Sequence, residues 1–192
     1  MPEDIIERAN QLFLAKRFAE SITLYDQVLE KTPDNLNALN NKGYALSKLK
    51  QHQDAISCYD LALQKHPNEK TILTNKISSL RKLKSYDLAL DHCNQILSEE
   101  PHNNIILYHK ERILSSVGDY SGAIECCDVI LSDYPQNAEV LFDKAVAQAK
   151  SNREFLSTLN QSIMSDQKMK IKAKTHSAFI NNATQDFLRI VS

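Results

Sequence analysis

LNALNNKGYALSKLKQHQDAISCYDLALQKHPNE, residues 36–69, contains the fold of this chain in miniature. Leu39, Gly43 and Leu46 recur at helical spacing, as do Ala55, Tyr59 and Ala62, and Pro67 ends the second run. The stretch is one member of a series. Pro33, Pro67, Pro101 and Pro135 stand 34 residues apart, and a fixed period of that length marks a helix–turn–helix repeat array.

Other columns keep the same period. Leu12, Leu46, Leu80 and Leu114 form one; Ser21, Ala55, Ala89 and Ala123 form another; Tyr25, Tyr59, Cys93 and Cys127 a third. Val28, Ala62, Ile96 and Ile130 follow, then Leu29, Leu63, Leu97 and Leu131, while Ile5, Leu39, Leu73, Leu107 and Leu141 open the units. Small residues such as Gly43 and Ala55 let antiparallel helices approach, where a larger side chain would overpack. Asp34, Asn35, Asn68, Asn103 and Asn137 supply caps and turns after each proline.

The pattern resembles the tetratricopeptide repeat family, which has a small residue at the eighth place, Ala at the twentieth, an aromatic at the twenty-fourth and Pro at the thirty-second. The resemblance implies an all-α, right-handed α-solenoid of about four and a half such repeats with a C-terminal capping helix. Repeats are expected at about 2–35, 36–69, 70–103 and 104–137, with a partial one at 138–166 whose second helix runs from about Arg153. Ile77 and Glu111 take the small-residue place, and Cys93 and Cys127 the aromatic one, so local repacking is expected there. In 167–192, four lysines between Lys168 and Lys174 form a basic stretch, and Phe179, Ala183, Phe187 and Ile190 suggest one amphipathic helix.

Composition narrows the function. Net charge is −1 and 42% of residues are hydrophobic, which argues against nucleic-acid or membrane partners. No apolar run approaches a membrane span, and the acidic start shows no secretory signal. Cys58, Cys93, Cys126 and Cys127 form no CxxC pair and read as buried thiols in a reducing cytoplasm. Phosphate-loop, HExxH and G-x-S-x-G motifs are absent from the sequence, so neither enzyme activity, metal nor cofactor is expected.

The family resemblance implies binding through the first helix of each repeat, along a concave groove. Carried onto this chain, the groove positions include Asn10, Asn37, Asn40, Asn41, Tyr44, Asn75, Tyr108, His109, Arg112 and Phe142. Carboxamides match the donors and acceptors of an extended peptide backbone, so Asn10, Asn41 and Asn75 are expected to form a ladder. The reading is a non-catalytic adaptor for a protein or peptide. The alternative is a scaffold self-associating through its C-terminal helix or convex surface. A co-chaperone is weaker, because the places of the family's carboxylate clamp read Ile6, Asn10, Asn41, Thr71 and Asn75, without a cation. A further column, Arg8, Lys42, Lys76, Lys110 and Lys144, predicts ion pairs within repeats: Arg8 with Asp26, Lys42 with Asp60 and Lys110 with Asp128. Lys76 would face Asn94 and remain the exception.

Overall fold

The computed structural model describes residues 2–182 and 184–192, and every regular element among them is helical. Five helix pairs follow the 34-residue period: α1 (Pro2–Leu14) with α2 (Phe18–Lys31), α3 (Leu36–Lys48) with α4 (His52–Lys65), α5 (Lys70–Lys82) with α6 (Tyr86–Glu99), α7 (Asn104–Val117) with α8 (Tyr120–Asp133), and α9 (Ala138–Lys150) with α10 (Leu156–Ser165). Three short helices close the chain: α11 (Lys168–Thr175), α12 (Ser177–Ile180) and α13 (Gln185–Val191). It is an all-α repeat fold. The helices fall into two compact units, one ending at Asn94 and the other running from Gln95 to Ser192.

The turn inside each pair has one chemistry. Arg17, Gln51, Ser85 and Asp119 each donate a backbone N–H to the leucine five residues back, Leu12, Leu46, Leu80 and Leu114 respectively, at 2.9–3.0 Å. This wrap requires a left-handed residue just past the helix. Gly118 supplies it at φ +86°, but Lys16, Lys50, Lys84 and Asn152 hold the same place at φ 54–64°. Between pairs, Asn35, Asn103 and Asn137 accept from the N–H groups of Ala38, Ile106 and Val140 and so cap α3, α7 and α9. Glu69, not Asn68, precedes α5, and its side chain makes no cap bond.

Packing in the first unit follows the small and aromatic columns. Ala9, Tyr25, Ala55 and Tyr59 are fully buried. The Tyr59 ring lies over Gly43, where an added Cβ would come within 2.6 Å of it. At the third repeat the sizes exchange, with Ile77 and Cys93 both fully buried. In the second unit Glu111 takes the small-residue place, 4% exposed, and Ser115 donates to its Oε1 at 3.0 Å. Burial pushes the Cys127 thiol up, and the neighbouring Glu111 carboxylate adds to that shift.

Three lysines of the column pair across repeats instead of within them. Lys42 reaches Asp26 at 2.6 Å, Lys76 reaches Asp60 at 2.7 Å and Lys144 reaches Asp128 at 2.6 Å. The predicted partners were one repeat out of register, and Lys76 is no exception. The cause is topological: α3 packs on α2, α5 on α4 and α9 on α8, so the first helix of one repeat faces the second helix of the repeat before. Burial lowers the Lys42 ammonium, but the hydrogen bond to Asp26 outweighs it with help from nearby anionic groups, and the net shift is upward.

The tail departs from the single expected helix. The basic stretch forms α11, and His176 and Thr184 adopt extended backbone as N-caps that divide the expected helix into α12 and α13, because Thr, Ser and Asn here favour caps over helix interior. Ala183, which the spacing placed on that helix, lies outside the described residues. Phe179, Phe187 and Val191 share one core with Phe142, Ala145 and Ala149 of α9 and with Leu159 and Ile163 of α10. Phe155 belongs to the same core, which delays the start of α10 to Leu156, three residues beyond the expected Arg153.

Candidate functional site

In the first unit the asparagines of α1, α3 and α5 form one hydrogen-bonded relay. Tyr25 Oη donates to Asn10 Oδ1 at 2.7 Å, and Asn41 Nδ2 donates to the same oxygen at 3.1 Å. Asn40 Nδ2 donates to Asn41 Oδ1 at 3.2 Å, and Asn75 Nδ2 donates to Asn40 Oδ1 at 3.0 Å. Asn10, Asn41 and Asn75 therefore lie on a common line, but Asn40 stands between the last two. That link was not foreseen, because Asn40 and Asn41 are adjacent in sequence and only the packing of α3 against both neighbours brings the two into one chain.

The relay has a direction. Asn10 Oδ1 accepts twice and the Asn41 and Asn40 oxygens once each, while the Asn41, Asn40 and Asn75 amides each give one N–H to the relay and keep a second. Asn75 Oδ1 ends the run. The half-buried amides are anchored at the other end by Tyr25, which is fully buried. Burial raises the pKa of its phenol, opposed by a hydrogen bond from Asn41. Tyr44 is 38% exposed beside them, its ring 5.4 Å from that of Phe13, and Asn37 is exposed on the first turn of α3.

The second unit holds the remaining expected residues. Tyr108 Oη donates to Asn137 Oδ1 at 3.4 Å; burial raises its pKa, and the Asn137 bond works against that. His109 is half-buried and Arg112 exposed on α7. Phe142 is a correction. It is 1% exposed, with the Lys172 ammonium 4.2 Å from its ring centroid and the rings of His176 and Phe179 at 5.7 and 5.5 Å. The tail has folded over it, so it is core and offers no surface to a ligand. Asp143 beside it has a raised pKa, through burial offset by Lys172 and Arg112.

Among the described residues, no three His, Cys, Asp or Glu side chains gather as a metal site, and no helix is long and apolar enough to cross a membrane.

Residues 36–69, the second helix pair, match the tetratricopeptide repeat family model. That helix pair is a tetratricopeptide repeat. Solved structures share this repeat fold. YrrB, a tetratricopeptide-repeat protein with an unusual peptide-binding site, is 20% identical, with 90% of this chain and 91% of that one covered at a TM-score of 0.74. A tetratricopeptide repeat protein from Parabacteroides merdae ATCC 43184 is 22% identical, covering 95% and 75% at 0.83. MamA protein is 16% identical, covering 91% and 95% at 0.79. Identities this low establish the likeness of fold alone. No curated protein matches this chain.

Proposed function

We propose that this chain is a non-catalytic interaction module that holds an extended peptide or protein segment against the face shared by α1, α3 and α5. The observation that carries the reading is the amide relay. A run of side-chain carbonyls bonded internally leaves N–H donors along three successive repeats, and an extended backbone offers carbonyl acceptors. The relay also holds those donors in place before any ligand arrives, which lowers the entropy lost on binding. YrrB, with the same fold, has a peptide-binding site of its own. Self-association through the C-terminal helices is less well supported, because Phe179, Phe187 and Val191 are already buried in the core.

The test is affinity capture from the source cell's lysate by wild type and by the Asn41→Ala, Asn75→Ala double variant, with thermal melts to show that both are folded. A partner held by wild type and lost by the folded variant is expected. Equal retention by both would overturn the assignment to this face.

A further inference from the structure

Three successive turns of the first unit share one character. Leu14-Ala15-Lys16 stands where α1 turns into α2, Lys48-Leu49-Lys50 where α3 turns into α4, and Lys82-Leu83-Lys84 where α5 turns into α6. In each, a lysine holds the left-handed place, at φ 60°, 64° and 60°, a conformation that costs an L side chain and not glycine. The residue before it faces water: Ala15 is exposed, Leu49 41% and Leu83 40%. In the fourth pair the same turn reads Val117-Gly118-Asp119, with glycine at the left-handed place and no lysine. The turn itself therefore does not demand lysine.

The three turns lie at one edge. Parallel α1, α3 and α5 pack side by side, so their C-termini end together. Near those ends Ser79 Oγ lies 3.4 Å from Ser47 Oγ, and Lys82, after burial, helps lower the pKa of His52 at the start of α4. Lys16, Lys50, Lys82 and Lys84 are exposed and make no ion pair among the described residues. Lys48 lies over the Tyr44 ring, and Arg17 is paired with Glu20. The nearby acids, Glu20, Asp54 and Asp87, stand in the first turns of α2, α4 and α6, and positive charge remains in excess. A net charge of −1 for the whole chain conceals this local balance.

We infer that this edge docks on an anionic membrane surface. Leu49 and Leu83 enter the interface at headgroup depth, and the lysines on either side of each meet lipid phosphates and carboxylates. The interleaving of the two residue types decides the partner. An acidic protein or a nucleic acid would answer the lysines and leave the leucines in water, whereas a bilayer interface satisfies both. The edge is separate from the amide relay, whose asparagines lie on earlier turns of the same helices.

The experiment is co-sedimentation of the full chain with vesicles of phosphatidylcholine, with and without phosphatidylserine, over a range of salt. Wild type is expected to sediment with the anionic vesicles only, and less as salt rises. Lys50→Gly with Lys84→Gly keeps both turns in a conformation glycine takes freely, and should weaken binding about tenfold or more. Leu49→Ser with Leu83→Ser, shown by thermal melts to be folded, should also weaken it. Val117→Ser, at the equivalent turn without lysine, should bind as wild type does. Equal binding to both vesicle types, no binding to either, or a lysine variant that sediments like wild type would overturn the inference. Binding to poly-glutamate or duplex RNA that survives the loss of both leucines, with none to vesicles, would overturn the lipid assignment.

Discussion

Single residues carry much of what this chain is. Gly43 is small because Tyr59 occupies the space a Cβ would need, at 2.6 Å from its ring. Gly43→Ala is expected to destabilise the protein by about 1–3 kcal/mol through overpacking, measured as a lower denaturation midpoint. An unchanged midpoint would show that the ring can move aside. His176 acts through protonation. Its Nδ1 accepts from the Ala178 N–H at 3.3 Å, which only the neutral ring can do. Burial first, then the charges of Lys150 and Lys172, lower its pKa. The unfolded chain therefore binds a proton more readily. The stability contributed by the neutral ring is complete above the unfolded pKa of about 6.5 and is lost as pH falls toward the folded value. Melts of wild type should drop between pH 7 and 5, and His176→Asn, a cap that does not titrate, should flatten that dependence. Parallel pH profiles would rule His176 out.

At the scale of elements, the turns store strain. Lys16, Lys50 and Lys84 adopt a left-handed backbone that glycine would take freely, as Gly118 does in the fourth repeat. Lys50→Gly removes a steric cost of about 1–2 kcal/mol and adds unfolded-state entropy worth about half that. A net gain of several tenths of a kcal/mol is expected in urea titrations, and a loss would mean that the lysine side chain contributes more than its backbone costs. Periodicity made the helices, their prolines and the Asn35, Asn103 and Asn137 caps readable in advance. It could not give the partner of each lysine. A column repeated every 34 residues looks the same whether it pairs with its own repeat or with the one before, and only the packing of α3 on α2 and of α5 on α4 resolves the register. These pairs are partly exposed and each contributes at most about 1 kcal/mol.

At the scale of the molecule, the C-terminal helices complete the last core. Lys172 bonds Glu139 at 2.6 Å, Asn182 donates to the carbonyl of Ala149 at 3.3 Å, and Phe179 is fully buried among Phe142, Phe155 and Phe187. Ending the chain after Ser165 would uncover that apolar surface. A lower melting temperature and concentration-dependent aggregation are expected by calorimetry and light scattering, and a monomeric truncated chain with the wild-type melt would contradict this account. By itself the sequence determined the all-α repeat fold and its period, because both depend on spacing along one chain. Tertiary structure alone decided that Asn40 links Asn41 to Asn75, that Lys42, Lys76 and Lys144 answer the preceding repeat and that Phe142 is covered. Those outcomes depend on which helix faces which, and a one-dimensional pattern carries no record of distance between residues far apart in the chain.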